Sequence, residues 1–153
     1  MPVLREMIET SLPLEVAFSF VADFANAERW DPGVASSERT SEGPLGVGTR
    51  YRLGVRMRGR VSPMDYEVTA WEPNRRVVLR GSGSGVAATD EIRFEPAPAG
   101  TRIDYVADIR LRGLLALATP FAGGTFREIA RNARDGMQRA LDALAVTARG
   151  AAR

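Results

Sequence analysis

The stretch from Pro120 to Ala148, PFAGGTFREIARNARDGMQRALDALAVTA, decides the fold. Apolar residues recur in it every three or four positions, which is the period of an α-helix with one apolar face. The opposite face is charged, and it includes Asp135 and Arg139 at the favourable i,i+4 spacing. We therefore predict one long amphipathic helix near the end of the chain, with apolar positions at Phe126, Ile129, Ala130, Ala133, Met137, Ala140, Leu141 and Leu144.

Residues 34–111 show a different pattern, in which short strands are separated by turns. From Thr49 onward, Tyr51, Leu53 and Val55 alternate with arginines, as in a half-buried antiparallel strand. Such strands joined by tight turns predict a meander and not β-α-β units. A first strand over Val3–Thr10 and two short helices between residues 16 and 29 precede the meander. The fold class is α+β, with about seven antiparallel strands wrapped around the long helix. The inward positions of the later strands are Met64, Tyr66, Val68 and Ala70, then Ala88, Asp90, Ile92 and Phe94, then Ile103, Tyr105, Ala107 and Ile109.

The amino-acid composition excludes several classes of function. The 153 residues fit one domain, which we assign to residues 1–148, with 149–153 as a disordered tail. The chain has no cysteine, histidine or lysine, which excludes thiolate and imidazole chemistry and Schiff bases. Its arginines alternate with acids, which is not typical of nucleic-acid binding. No segment has the pattern of a signal peptide or the length of a membrane span, so we expect a cytoplasmic protein without stable membrane insertion.

Several short motifs connect this pattern to a known family. They are Trp30-Asp31-Pro32-Gly33, Gly46-Val47-Gly48-Thr49-Arg50-Tyr51, Glu72-Pro73 with Arg75-Arg76, Phe94-Glu95-Pro96 with Gly100-Thr101-Arg102, and Leu111-Arg112-Gly113-Leu114 before the last helix. With the order of elements, they make the chain resemble the SRPBCC superfamily of START and birch-pollen-allergen-like proteins, in its polyketide cyclase/dehydrase-like branch. The resemblance covers nearly the whole chain and implies a helix-grip fold. It also implies a cavity for an apolar molecule under the long helix.

The inward residues of the strands and helix are then the candidates for lining such a cavity. Gly81 continues the inward face of its strand, where a missing side chain leaves space for a ligand; a flexible strand end or a bulge is the alternative. Trp30 closes one end of the core or the mouth of the cavity. The full set of ligand-binding candidates is Trp30, Tyr51, Leu53, Val55, Tyr66, Val68, Gly81, Asp90, Ile92, Tyr105, Phe126, Ala130, Ala133 and Met137.

Asp90 is the acid that bears most directly on chemistry. An inward carboxyl among apolar residues has a raised pKa, and with Tyr66 or Tyr105 it forms a candidate acid/base pair. The alternative places Asp90 at the rim, paired with an arginine such as Arg80. For the tyrosines, filling the core is the alternative.

Three functions are consistent with these observations. The first is binding of an apolar or aromatic small molecule, lipid-like or polyketide-like, by a monomer or homodimer without cofactors. The second is a cofactor-independent polyketide cyclase or dehydratase that uses Asp90 with Tyr66 or Tyr105. The third is an interaction domain that contacts a membrane or a partner through Leu114–Phe121. The inward set supplies only one carboxylate, so we predict no metal site.

Overall fold

The computed structural model describes residues 3–57, 59–113 and 123–151. These residues form eleven secondary-structure elements. In chain order they are β1 (Val3–Thr10), α1 (Leu14–Val21), a 3₁₀ turn (Phe24–Asn26), α2 (Ala27–Trp30), β2 (Val34–Arg39), β3 (Arg50–Met57), β4 (Arg60–Glu72), β5 (Arg76–Gly83), β6 (Val86–Ala97), β7 (Gly100–Leu111) and α3 (Gly123–Ala151).

The described strands form one seven-stranded antiparallel sheet in the order β1-β7-β6-β5-β4-β3-β2. Consecutive strands from β2 to β7 are neighbours, as a meander requires, and β1 joins the free edge of β7. The sheet curls around α3, with the short helices after the first strand. This arrangement confirms the predicted helix-grip fold.

The core lies between the inner face of the sheet and one face of α3. Alternate strand residues such as Leu79, Ile92 and Ile103 are fully buried, as the two-residue period predicts. On α3, Met137 and Leu141 are equally buried and lie one turn apart. The helix is described to Ala151, so residues 149–151 belong to it, although the sequence placed them in a disordered tail.

A β-bulge in β4 corrects one sequence prediction. The pairing with β5 joins Val68 to Leu79 and then Ala70 to Val78, so one residue of β4 is skipped. The skipped residue inverts the alternation of the strand beyond it. Trp71 consequently shares the core face and packs edge-on against Phe18, at 5.1 Å between ring centroids. Ala70, predicted to point inward, lies on the opposite face.

Helix α3 approaches α2 at a glycine. A Cβ atom added to Gly136 would lie 2.2 Å from the backbone oxygen of Trp30 and 2.8 Å from the ring of Pro32. Glycine in a helix interior costs roughly 1 kcal/mol relative to alanine. At this position it allows the two backbones into contact, which fixes α3 over the end of the sheet.

Candidate functional site

A cavity of about 180 Å³ lies between α3 and the inner face of the sheet. Its walls come from β1, from the segment around α2, from β3, β4, β6 and β7, and from the first half of α3. Most of the wall is aliphatic or aromatic. The apolar residues that line it include Leu4, Ile8, Phe24, Leu53, Val55, Met64, Val86, Ala88, Ile109, Phe126, Ala130, Ala133 and Met137.

One part of this wall is polar. Asp90 on β6 is 6% exposed, and its carboxylate accepts a hydrogen bond of 2.6 Å from the hydroxyl of Tyr105 on β7. Burial raises the pKa of Asp90 from 3.8 to about 7, against the hydrogen bond from Tyr105, which lowers it, and with a further rise from the charge of Asp31. Near neutral pH the protonated and the ionised forms of this carboxyl are therefore both populated.

The alternative that paired Asp90 with Arg80 is wrong. Asp90 is opposite Leu79 in the sheet, whereas Arg80 is opposite Thr89 and lies exposed on the outer face. Because successive residues of a strand point to opposite faces, the Arg80 guanidinium cannot reach the inward carboxyl. The inward placement that the alternation predicted for Asp90 is the observed one.

A second carboxyl, that of Asp31, lines the cavity from the end of α2. One of its oxygens accepts a 2.8 Å hydrogen bond from the backbone N–H of Gly33. Burial raises the pKa of Asp31, while this hydrogen bond and the charge of Arg56 lower it. The Tyr66 hydroxyl has its pKa raised by burial and by the charges of Asp90 and Asp31. Asp31 and Asp90 therefore line one cavity together with the phenols of Tyr66 and Tyr105.

Trp30 forms part of the wall next to this polar group. Its ring packs edge-on against Tyr105 at 5.9 Å and against Phe24 at 6.0 Å, measured between ring centroids. Trp30 is buried, and its indole N–H has no hydrogen-bond partner among the described residues. The aromatic contacts hold Tyr105 in place beside Asp90.

The structure brings ten of the fourteen ligand-binding candidates to the cavity. They are Trp30, Leu53, Val55, Tyr66, Asp90, Tyr105, Phe126, Ala130, Ala133 and Met137. The other four do not line it. Tyr51, Val68 and Ile92 are at most 1% exposed and pack elsewhere in the core.

Gly81 is the fourth, and its neighbour Tyr66 explains why. A Cβ atom on Gly81 would lie 2.6 Å from the ring of Tyr66, which is its cross-strand partner. The glycine makes room for this ring and not for a ligand. The Tyr66 ring therefore lies against Gly81, and Tyr66 itself lines the cavity.

Sequence reasoning missed Glu6 and Arg134, which both line the cavity. Glu6 is opposite Tyr105 in the sheet, and its carboxylate lies 3.8 Å from the Arg134 guanidinium of α3. Glu6 lies between Leu4 and Ile8 at the two-residue spacing of β1, so the alternation of this strand could have placed it on the inward face. Arg134 is on the charged side of the α3 pattern, where its long side chain reaches back over the apolar face.

Other kinds of site are not apparent in the described parts of the chain. Residues 3–57, 59–113 and 123–151 hold no group of three or more acidic side chains placed to bind a metal ion. None of the helices in these ranges is long and apolar enough to cross a membrane. The segment Leu114–Phe121, considered above as a contact surface, lies outside the described residues.

Comparisons with known proteins agree with this architecture. The family described as polyketide cyclase / dehydrase and lipid transport matches residues 1–149. Among solved structures, a Thermus thermophilus protein aligns with a TM-score of 0.76 at 17% identity, covering 92% of this chain and 97% of that one. The Zhui aromatase/cyclase from Streptomyces aligns with a TM-score of 0.72 at 16% identity, covering 92% and 90%. A START superfamily protein from Mycobacterium smegmatis aligns with a TM-score of 0.68 at 18% identity, covering 92% and 94%. A comparison with curated protein sequences finds no match.

Proposed function

The chain belongs to the polyketide cyclase / dehydrase and lipid transport family, and from this premise we propose that it binds a small apolar or aromatic molecule under α3. One observation carries the proposal: a cavity of about 180 Å³ with apolar walls and a buried Asp90–Tyr105 pair in one of them. Transfer of the apolar part of the ligand from water into the cavity lowers its free energy, and the Asp90–Tyr105 pair orients the ligand.

The size of the cavity limits the ligand. A cavity of about 150 Å³ lined by aliphatic and aromatic side chains is known to hold benzene. A volume of 180 Å³ therefore corresponds to one ring with a small substituent. Ligand pockets for drug-sized molecules are larger, at roughly 300–1,000 Å³.

The polar wall adds a chemical preference. With its pKa near 7, Asp90 carries a proton in about half of the molecules at neutral pH, and it then offers an O–H donor. An oxygen atom on the ligand, such as a ketone carbonyl, accepts this bond. A net gain of about 0.5–1.5 kcal/mol is expected from one such hydrogen bond.

Calorimetric titration with two matched probes, acetophenone and ethylbenzene, tests this proposal. At pH 6 we expect both to bind, with acetophenone tighter by roughly three- to tenfold because of the added hydrogen bond. Ala133→Phe fills the cavity and is expected to abolish binding. Ala143→Phe adds the same group on the exposed side of α3 and is the matched control. Equal binding by the Ala133→Phe protein would exclude the cavity as the site.

Catalysis is a second candidate function, which we propose because of the Asp90–Tyr105 contact. A general acid or base is most effective when its pKa is close to the working pH, and Asp90 meets this condition. The ionised carboxylate would remove a proton next to a ligand carbonyl, and Tyr105 or Tyr66 would hydrogen-bond the resulting enolate oxygen. No cofactor is needed for such a step.

Deuterium uptake from heavy water into phenylacetone, a one-ring enolisable ketone, measures this activity directly by NMR. We expect exchange above the buffer rate in the original protein, none above it with Asp90→Asn, and a reduced rate with Tyr105→Phe. Exchange that is unchanged by Asp90→Asn would contradict the assigned role. Binding without any exchange would leave the chain as a binding protein.

A further inference from the structure

Building on the proposed binding function, we infer that the ligand is an amphiphilic carboxylic acid. Its apolar body occupies the cavity, and its carboxylate lies outside, between α3 and β1, beside Arg127 and Arg131. The inference depends on a groove that adjoins the cavity, on the way α3 is held to β1, and on the charges along this groove.

A surface groove of about 470 Å³ runs between β1 and the beginning of α3. Three of its lining residues, Leu4, Glu6 and Ala130, also line the cavity. The two spaces therefore adjoin at a wall that these three side chains share. Ala130 is the smallest of the three and adds little bulk to that wall.

Polar contacts to the backbone of β1 hold α3 at one end of the groove. Gln138 donates a 2.8 Å hydrogen bond to the backbone oxygen of Glu9, and Arg134 donates one of 3.3 Å to that of Met7. One turn earlier on the helix, Ala130 and Arg131 line the groove. On this inference an elongated molecule in the cavity extends outward at this point.

The charges along the groove favour an anion. Arg127 and Arg131 are at i,i+4 spacing on α3, where like charges repel each other. Within the described ranges, no carboxylate is within ion-pair distance of either guanidinium. A carboxylate between them would relieve this repulsion.

The other charged residues of the groove are already paired. Arg5 forms a 2.6 Å contact with Asp104, and Glu6 lies near Arg134, which also contacts Asp135 at 2.9 Å. Among the described residues that line the groove, Glu6 is the one acid, and its charge in the wall shared with the cavity opposes an anion. Removing that charge should therefore strengthen binding of an acid, a gain that damage to the fold would not produce.

Two probes of the same shape, 4-phenylbutyrate and 4-phenyl-1-butanol, separate the charge from the apolar body. We titrate each by calorimetry at pH 6 and low salt. The acid is expected to bind about tenfold more tightly than the alcohol, because its carboxylate gains two exposed ion contacts that the alcohol cannot make. The Arg127→Gln/Arg131→Gln protein should lose this preference while binding the alcohol unchanged.

Two further variants complete the test. Glu6→Gln should increase the ratio of acid affinity to alcohol affinity by about threefold. Arg80→Gln, which removes an exposed arginine from the outer face of the sheet, should change neither affinity. Equal affinity for acid and alcohol in the original protein would overturn this inference alone. Absence of binding by both probes would overturn it together with the proposed binding function.

Discussion

Replacement of Asp90 by asparagine should change how the stability of the protein depends on pH. The pKa of Asp90 is raised from 3.8 in an exposed chain to about 7 in the folded protein. Between these pH values the folded protein keeps a proton that the unfolded chain has released, so the free energy of unfolding falls as the pH rises. A tenfold change in proton affinity is worth about 1.4 kcal/mol, so the whole effect is on the order of 4 kcal/mol.

Asparagine has nearly the same shape, stays neutral and still accepts a hydrogen bond from Tyr105. Urea unfolding of both proteins at intervals between pH 4 and pH 8.5 measures the effect. The stability of Asp90→Asn minus that of the original protein should rise by roughly 4 kcal/mol over this range and then remain constant. Taking the difference removes the contributions of distant groups that both proteins share. Asp31 is not one of them, because its charge contributes to the raised pKa of Asp90.

Asp65→Asn is the matched control, because Asp65 is an exposed carboxylate that contacts Arg52 on the outer face of the sheet. Loss of such a surface pair should change the free energy of unfolding by at most about 1 kcal/mol. A stability difference for Asp90→Asn that stays flat from pH 4 to pH 8.5 would refute the reasoning. It would mean that the Asp90 carboxyl is already ionised and solvated in the folded protein at acid pH.

Three further substitutions test the packing around the cavity. Gly136→Ala should lower the free energy of unfolding by about 2 kcal/mol or more in urea titrations, because the added Cβ atom would lie 2.2 Å from a backbone oxygen. Its control is Gly150→Ala, at an open helix position, which should raise the free energy of unfolding by up to about 1 kcal/mol. Similar effects of the two would argue against the close approach of α3 and α2. Gly81→Ala should push the neighbouring tyrosine ring out of place and reduce acetophenone affinity, and unchanged calorimetry would count against this. Leu141→Ala should lower the free energy of unfolding by about 2–5 kcal/mol, and a loss below 1 kcal/mol would indicate a helix that is not packed on the core.

The order of β2 to β7 followed from the tight turns that indicate a meander, and most inward residues followed from the alternation of apolar side chains. In β3 and β6 the period of two is regular, so Leu53, Asp90 and Ile92 were placed on the correct face. In β4 the same argument failed beyond Val68, because a β-bulge there reverses which residues point inward. The residue types around Val68 do not indicate the bulge. Trp71 was consequently not recognised as a core residue.

The location of the cavity was harder to predict than the inward face of the sheet. Tyr51 and Tyr66 have the same phase and pair with each other across β3 and β4, yet only Tyr66 lines the cavity. Phe24 of the 3₁₀ turn fills space beside both rings, at 6.2 Å from Tyr51 and 5.4 Å from Tyr66 between ring centroids. Such filling depends on packing between distant segments, which alternation in one strand does not contain.

The position of β1 at the end of the sheet has a consequence for how the chain folds. Its pairing with β7 joins Val3 to Asp108 and Thr10 to Thr101. Closing a loop of about 100 residues is slow, since its entropy cost must be met before the contacts form. On the ribosome, β1 is therefore made long before its partner strand β7 is available. We expect a chain that stops before Gly100 to remain without a stable sheet, which circular dichroism of the truncated protein would show.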